Sequence, residues 1–240
     1  EEHCLRNGIR GPVMRVIYDA LDEEAFAPQT DPETVRRDLG VPEGAPCLGV
    51  ASNIQEWKGQ AVLVEAMAEV VKEVPTATGL IIGGVHRAGQ AYYEGVLARV
   101  EELGLQKNIL FTGFRTDIAD VTNALDIIVH TSVTPEPFGR VILEGMLLGK
   151  PVVASAAGGV PELIEDGDTG YLFTPRDAAQ LAQKLIPLLQ SEELRQRIGT
   201  RAREWASEQF TLERHVEEMS ALYESLSLIH ISEPTRRDQI

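Results

Sequence analysis

Residues 126–155, DIIVHTSVTPEPFGRVILEGMLLGKPVVAS, carry the strongest signal of the chain's architecture. Two short apolar runs, 126–132 and 151–155, enclose a loop with Pro and Gly and a helical stretch, RVILEGMLLG. Both runs are rich in β-branched residues and apolar throughout, which is typical of parallel strands that are covered on both faces. The segment therefore predicts a strand, a crossover helix and a second, parallel strand.

Three earlier runs have the same character: CLGVAS (47–52), TGLIIGG (78–84) and NILFTG (108–113). Between them lie two amphipathic helical stretches, 59–74 and 91–103, whose apolar residues recur on one face: Leu63, Met67, Val70 and Val74 in the first, and Tyr93, Val96, Val100 and Leu103 in the second. From about Asp177 the chain is nearly all helical, with breaks near Ser191 and Phe210. This alternation predicts an α/β fold with a doubly wound, Rossmann-like parallel sheet, right-handed crossovers and a helical C-terminus.

The two ends of the chain depart from this pattern. RVIYDA, from Arg15, predicts an additional first strand, followed by a long linker rich in Pro, Asp and Glu, and we interpret residues 1–14 as the remnant of a preceding domain or interdomain segment. LSLIHISEPTR (226–236) resembles the in-frame translation of a transposon-end adaptor used for sequencing libraries. We therefore interpret residues 226–240 as a non-native tail, with an ordinary frayed terminus as the alternative, and expect the domain itself to span 15–225.

Composition excludes some classes of partner. The 240 residues carry a net charge of −15, from 37 acidic and 22 basic side chains, which argues against nucleic acid or an anionic membrane as the main partner. Two cysteines, Cys4 and Cys47, form no disulfide framework. No apolar run has transmembrane length, and the first residues lack signal-peptide features. We expect a cytoplasmic location and leave open a peripheral membrane contact of the full protein.

The loops after the predicted strands carry the chemically suggestive residues. In an open parallel sheet, ligands bind beyond the carboxyl ends of the strands, so these loops share one edge. The loops are SNIQEWKG with Lys58, the pair Gly83 and Gly84, GFRTD with Arg115 and Asp117, PEPFGRVILEGM (135–146) and AAGGVPE (156–162). Because five of them converge, we expect a binding site at this edge.

PEPFGRVILEGM combines a predicted helix start with two acids. The backbone N–H groups of about 139–141 have no helical partner there, and such an end attracts phosphate. Glu136 precedes this end, whereas Glu144 lies about one and a half turns inside the helix, so the pair is not a simple N-cap. The plainer alternatives are a solvated loop acid for Glu136 and, for Glu144, an ion pair with Arg140 worth at most roughly 0.5 kcal/mol.

EPFGRVILE (136–144) resembles the EX7E motif of the retaining glycosyltransferases of the GT-B fold, often called family 4 or group 1. WKG (57–59), LFTGFRTDIADVTNALDIIVHTS and GKPVVASAAGGVPELIEDGDTGYLF agree with that resemblance, which extends from roughly Arg15 to Tyr223. It covers only the family's second, donor-binding domain. It therefore implies a partner, the N-terminal GT-B domain that holds most of the acceptor site.

The resemblance implies a donor substrate, a nucleotide diphosphate sugar that is UDP- or GDP-linked, with no separate cofactor and no metal. Lys58 would neutralise the diphosphate, Glu136 would hold sugar hydroxyls and steady positive charge at the anomeric carbon, and Glu144 would accept the ribose hydroxyls. Lys58 and Glu136 are the implied catalytic residues. The whole implied donor-binding set is Asn53, Lys58, Gly84, Arg115, Thr116, Glu136, Phe138, Gly139, Arg140, Val141 and Glu144.

One position departs from the family pattern. Asn53 stands where the family commonly has an arginine, five positions before the lysine. Stabilisation of the leaving diphosphate would then rest on Lys58, the helix end and Arg140. The resemblance also implies retention by same-face attack, in which a diphosphate oxygen helps to deprotonate the acceptor.

Other candidates receive structural interpretations. We interpret the DxD string at 166–168 as a turn, His86 and His130 as loop and strand-end residues rather than metal ligands, and Trp57 and Trp205 as packing residues. Two other function classes stay open. A glycoside hydrolase needs two carboxylates roughly 5 to 9.5 Å apart across a sugar, and a nucleotide-binding module would bind without transfer.

Overall fold

The computed structural model describes residues 15–232, with side chains as far as Leu226. The interpretation of residues 1–14 lies outside the described residues, as does that of the tail from residue 233 onward. Residues 23–209 form one compact unit, and residues 15–22 with 210–232 belong to a second. None of the helices within 15–232 is long and apolar enough to cross a membrane.

The larger unit contains a six-stranded sheet in the order β3-β2-β1-β4-β5-β6, and every neighbouring pair is parallel. The strands are β1 Cys47–Ala51, β2 Thr78–Ile82, β3 Ile109–Gly113, β4 Ile127–His130, β5 Val152–Ser155 and β6 Tyr171–Phe173. This order confirms the predicted doubly wound, Rossmann-like sheet. Because β1 and β4 are neighbours from which the chain winds outward in opposite directions, their carboxyl ends mark the topological switch point.

Helices connect and cover the strands. In the larger unit they are α1 Pro32–Asp38, α2 Gln60–Glu73, α3 Gln90–Glu102, α4 Ile118–Asn123, α5 Arg140–Leu147, α6 Val160–Leu163, α7 Ala178–Gln190 and α8 Glu192–Gln209, with a 3-10 turn at Glu56–Lys58. The predicted breaks near Ser191 and Phe210 fall at the ends of α7 and α8. The helical C-terminus is therefore confirmed.

The core lies where helix stripes meet the sheet. Leu63, Met67 and Val70 on α2 are fully buried, as the periodicity predicts, and they join the same apolar cluster as Leu185 and Leu188 of α7. Burial of each such side chain contributes about 1.5 to 3 kcal/mol. Leu48, Ile81, Ile127 and Val153 of the sheet belong to the same cluster, so α2 and α7, which pack against each other, cover the strands together.

Several short elements, β6 and α1 among them, are not among the predicted segments. β6 is only three residues long and follows the turn at 166–170, so it has no periodicity to detect, and its pairing of Val153 with Tyr171 defines it. Helix α1 lies inside the predicted linker. Its start has a local cause, since Asp31 accepts a hydrogen bond from the Thr34 backbone N–H and Pro32 occupies the first turn.

The smaller unit contains α9, Leu212–Ser232, and the segment 15–22. The prediction of a strand at RVIYDA is wrong, because residues 15–20 have no regular secondary structure. Its contacts come from side chains instead: the ring of Tyr18 meets Phe210 edge-on at 5.5 Å, and the Tyr18 carbonyl lies 2.7 Å from His215 Nδ1. β-Branched residues favour a strand only where a neighbouring strand can pair with them.

Candidate functional site

The loops after β1 and β4 lie side by side at the switch point. The Val133 N–H donates to the Trp57 carbonyl at 2.8 Å, and the Thr131 hydroxyl donates to the Lys58 carbonyl at 2.8 Å. Gly59, with φ +69°, makes this approach possible, because a Cβ there would overlap the Thr131 carbonyl oxygen. The backbone thus fixes the start of the Lys58 side chain against the end of β4.

Glu136 is the centre of a polar cluster at this point. Lys58 Nζ lies 2.6 Å from Glu136 Oε1, while His130 Nε2 and Ser132 Oγ each lie 2.6 Å from Oε2. Only 14% of the Glu136 side chain is exposed. The fold therefore brings together the two residues that the resemblance marks as catalytic, and Glu136 is not the solvated loop acid of the plainer alternative.

The surroundings of Glu136 favour its ionised form. Burial by itself would raise the pKa of Glu136, but hydrogen bonds from His130, Lys58 and Ser132 outweigh burial and lower the pKa to about 2. The carboxylate is therefore negative at neutral pH.

The glycines of AAGGVPE hold the backbone of the same acid. The Gly159 N–H donates to the Glu136 carbonyl at 2.9 Å. A Cβ at Gly158, which has φ +68°, would overlap backbone atoms of Glu136, and one at Gly159 would overlap the Pro137 carbonyl. The loop after β5 thus contributes close backbone approach rather than functional side chains.

Helix α5 begins beside this cluster. It starts at Arg140, with Gly139 as the N-cap at φ +89° and no side-chain hydrogen bond from that cap. Val141 lines one small cavity together with Lys58, His130 and Ser132. Val141, in the first turn of α5, and Lys58 therefore line the same cavity, and Glu136 contacts that lysine from the side of β4.

Glu144 has different surroundings. Its side chain is 15% exposed, and its ion-pair partner is Arg140, 62% exposed, at 3.9 Å. Burial raises the pKa of Glu144, and the positive charge of Arg140 only partly opposes this. The ion pair of the plainer alternative thus exists, but it is long and leaves Glu144 mostly buried.

The loops after β2 and β3 adjoin each other. A Cβ at Gly84 would lie 3.5 Å from Phe114 Cβ, and the Phe114 side chain is among the most exposed large apolar ones, at 75%. The Arg115 guanidinium donates two hydrogen bonds to Asp117, at 2.8 and 2.6 Å, which lower the pKa of the Asp117 carboxyl. Thr116 is exposed next to this fork.

The remaining predicted residues fall around the same edge. Asn53 is exposed in the loop after β1, and its carbonyl accepts a hydrogen bond at 3.0 Å from Gln60, a fully buried residue. Phe138 is half-buried between Pro137 and Gly139. Asn53 thus lies in the loop after β1 and Phe138 in the loop after β4.

Sequence reasoning missed three side chains of the site. His130 does end β4, as predicted, but it also contacts Glu136, and Ser132 shares that contact. Trp57 is 36% exposed and packs against the site lysine, with Lys58 Nζ 4.1 Å from its ring centroid. Their position was the available signal, since His130 ends β4 and Ser132 and Trp57 lie in the loops after β4 and β1.

Two structural interpretations are confirmed. Within the DxD string, Asp166 accepts a hydrogen bond from the Leu172 N–H at 2.8 Å, and Asp168 forms an ion pair with Arg201 at 3.1 Å. Both contacts stabilise a turn. The indole of Trp205 donates to the Leu163 carbonyl at 3.0 Å from a half-buried position. Neither feature belongs to the site.

A doubly wound parallel sheet with a lysine, an acid and a helix N-terminus at its switch point has the architecture of the Rossmann-like α/β proteins. The sequence model of the family described as Glycosyl transferases group 1 matches residues 31–205. The chain therefore belongs to this family of glycosyltransferases, and its sheet matches the GT-B architecture of its structural neighbours.

Among curated relatives, the chain is 31% identical over 210 residues to N-acetyl-alpha-D-glucosaminyl L-malate synthase of Bacillus anthracis, covering 88% of this chain and 53% of that protein. It is 34% identical over 215 residues to D-inositol 3-phosphate glycosyltransferase of Corynebacterium efficiens, covering 88% and 50%. The chain thus spans about half the length of the curated relatives it matches.

Solved structures give the same picture. HepE from Anabaena, crystallised in complex with UDP and glucose, superposes with a TM-score of 0.87 at 34% identity, covering 92% of this chain and 59% of that one. The C-terminal domain of a group 1 family glycosyl transferase (LpcC) from Francisella tularensis gives 0.73 at 30% identity, covering 80% of this chain and 99% of that domain. The second match shows that such a half has been solved as a separate domain.

Proposed function

We propose that this chain is the donor-binding half of a retaining glycosyltransferase that uses a nucleotide diphosphate sugar. The observation that carries the proposal is the meeting of Lys58, Glu136 and the N-terminus of α5 at the switch point. A UDP-linked sugar is the first donor to test, because HepE was crystallised with UDP-glucose, and a GDP-linked sugar is the second.

Each part of the site has chemistry that suits one part of such a donor. The α5 N–H groups and the Lys58 ammonium suit a diphosphate, since both favour negative charge. Glu136 would accept hydrogen bonds from the sugar, and Glu144 would accept those of the ribose hydroxyls. Backbone of the loop at 115–117, beside Gly84, would contact the base.

The proposed transfer retains configuration. The bond from the anomeric carbon to the diphosphate breaks, the acceptor oxygen attacks from the same face, and its proton passes to the departing diphosphate. Lys58 and the helix end stabilise the negative charge that develops, while the Glu136 carboxylate steadies the positive charge on the sugar. Asn53 can add a hydrogen bond but no charge, so Lys58 has the larger share. We propose that no metal takes part.

Transfer also needs an acceptor. Because the relatives are about twice as long, we propose that an N-terminal half supplies the acceptor site in the full protein, and that the full protein is cytoplasmic. This chain alone would bind the donor and transfer little. A nucleotide-binding module without transferase activity is therefore the second candidate, and it is favoured by the half-length match.

Calorimetric titration of the chain with UDP, GDP and ADP and their sugar conjugates tests the proposal. We expect one nucleotide to bind, and Lys58→Ala and Glu144→Ala each to weaken its binding by about 1 to 3 kcal/mol, the scale of a charge-assisted hydrogen bond. Lys72→Ala is the matched control, because Lys72 is an exposed lysine of α2 paired with Glu69. Absence of any nucleotide binding, or equal effects of Lys58→Ala and Lys72→Ala, contradicts the proposal.

Joining the chain to the N-terminal half of a relative then separates the two candidates. Sugar transfer by the joined protein supports the transferase, whereas nucleotide binding without transfer supports the binding module. Hydrolysis of a p-nitrophenyl glycoside by the chain alone would instead favour a glycoside hydrolase.

A further inference from the structure

We propose that His130 is the positioning residue of Glu136. It holds one oxygen of this carboxylate, so that the other oxygen becomes free for the donor sugar when Lys58 turns to the diphosphate. This inference rests on the proposed function for its role in binding, but the contact itself can be tested without any donor.

The two carboxylate oxygens of Glu136 are held differently. Oε2 receives both His130 Nε2 and Ser132 Oγ, each at 2.6 Å, whereas Oε1 receives Lys58 Nζ at 2.6 Å. Lys58 Nζ has three hydrogens and one hydrogen bond to Glu136, so contact with a diphosphate would divide its charge between the phosphate and this carboxylate. Donor binding therefore requires Lys58 to share or leave Oε1.

The partners of Oε2 are held rigidly. His130 is the last residue of β4, opposite Ala154 of β5, and its side chain is 4% exposed. Its Nδ1 lies 3.3 Å from Ser155 Oγ, and that hydroxyl donates to the Ser132 carbonyl at 2.8 Å. Lys58, by contrast, carries its charge on a four-carbon stem with many rotamers. The rigidly held donor, His130, thus bonds to Oε2, whereas the adjustable donor, Lys58, bonds to Oε1.

The charge of Glu136 determines that the His130 nitrogen facing it carries a hydrogen. The lowered pKa of Glu136 keeps its carboxylate ionised, and an ionised carboxylate only accepts hydrogen bonds. Nε2 of His130 therefore carries a hydrogen and donates it to Oε2. Glu136 also receives the Lys58 ammonium, and the hydroxyls of Ser132 and Ser155 complete the contacts of the ring.

The consequence appears when Lys58 shifts. With His130 and Ser132 in place, Glu136 keeps two donors and its orientation, and Oε1 can accept a sugar hydroxyl. Without His130, a mostly buried carboxylate would keep the Ser132 hydroxyl alone, which disfavours its charge and releases its orientation. Loss of His130 should therefore affect recognition of the sugar more than that of the nucleotide.

A donor-independent experiment tests the contact. Two-bond ¹H–¹⁵N spectra of the histidine rings at pH 8 should show a protonated Nε2 in His130, and its signal should move in Glu136→Gln. His215 gives an internal reference, since its Nδ1 lies 2.7 Å from a backbone carbonyl. An unprotonated Nε2 in His130 would overturn the proposal, because that nitrogen could not donate to Glu136.

Calorimetry with UDP and UDP-glucose tests the role. In His130→Leu, which removes the donor, we expect UDP-glucose to bind about tenfold more weakly while UDP affinity falls much less. In His130→Gln, whose amide can donate from a similar place, we expect partial recovery for UDP-glucose. Equal losses for both ligands, or no difference between the Leu and Gln variants when thermal unfolding shows both folded, would overturn it.

The two proposals fail separately. If the unaltered chain bound neither ligand, the proposed function would be wrong for this donor, and the ring spectra would still decide whether His130 holds Glu136. If the unaltered chain bound both ligands and His130→Leu changed neither, the proposed function would stand and the inference about His130 would fall.

Discussion

Glu136 and Glu144 lie eight residues apart on either side of the start of α5, yet the protein treats them in opposite ways. Glu136 has three donors within 2.6 Å, and its pKa falls to about 2. Glu144 is equally buried, but its cation, Arg140, is 3.9 Å away, and its pKa is raised. Hydrogen bonds within the fold compensate the charge of Glu136, whereas Arg140 compensates the charge of Glu144 only in part.

The difference has a topological cause. Glu136 lies in the loop after β4, where loops from β1 and β5 also converge, so three strands contribute partners to it. Glu144 lies within a helix, and its ion-pair partner comes from one turn earlier in that same helix. An acid at a switch point can be stabilised by residues distant in sequence.

Glu136→Gln tests how much the hydrogen-bonded carboxylate of Glu136 contributes to the stability of the protein. A depressed pKa means that the stabilising contribution is present above the ordinary value of 4.5 and is lost as pH falls towards about 2. We expect the variant to be less stable at pH 7 by up to about 3 kcal/mol, with the difference shrinking as pH falls below 4.5. Urea unfolding at pH 7 and at pH 4 measures this. A difference that grew on acidification would contradict the assignment.

Gly158→Ala tests the close contact between the loop after β5 and the backbone of Glu136. The substitution places a Cβ against the Glu136 backbone at φ +68°, and we expect a loss of about 2 kcal/mol in stability together with weaker binding of UDP-glucose. Gly167→Ala is the matched control, because Gly167 also has a positive φ but open space for a Cβ. Thermal unfolding and calorimetry of both variants should separate backbone strain from displacement of Glu136; equal losses would show strain alone.

Glu144→Gln tests the second acid, for which we expect the opposite effect on stability at pH 7. A raised pKa means that stability is present below 4.5 and declines as pH rises through the raised value, so the charge at pH 7 costs stability. We expect the variant to be as stable as the unaltered chain at pH 7 or more stable by up to about 1 kcal/mol, although it binds nucleotide more weakly. Destabilisation at pH 7 similar to that of Glu136→Gln would remove the contrast between the two acids.

Arg140→Met tests the long ion pair of Glu144. Because Arg140 is 62% exposed and 3.9 Å from Glu144, we expect its loss to change the free energy of unfolding by less than about 0.5 kcal/mol. Chemical unfolding in low and high salt provides the measurement. A clear loss of stability that disappeared in high salt would mean that Arg140 compensates Glu144 after all.

Much of the fold follows from local patterns. β1, β2, β4 and β5 are continuous apolar runs, and α2 and α3 have one apolar face each, so their existence and type can be predicted within about two residues. β6 could not be predicted in this way, because three residues carry no period, and RVIYDA was wrongly predicted as a strand because β-propensity does not reveal whether a partner strand exists.

The candidate site, like the fold, could be predicted from the sequence only in part. The sequence alone indicates Lys58, Glu136, Gly139 and Glu144, since their residue types and spacing have a chemical meaning and match a family motif. It does not indicate the contact of His130 with Glu136 or the place of Trp57 under the Lys58 ammonium. Those contacts require side-chain directions at the ends of separate strands, which residue spacing does not specify.

The sequence by itself determines the parallel sheet, its covering helices, the edge at which a ligand would bind and the family. The arrangement of charge within that edge comes from folding, because the electrostatic state of a carboxylate depends on groups within a few ångströms of it. For Glu136 those groups come from residues 58, 130 and 132, and for Glu144 the cation comes from residue 140. Two acids of one motif thereby acquire opposite pKa shifts.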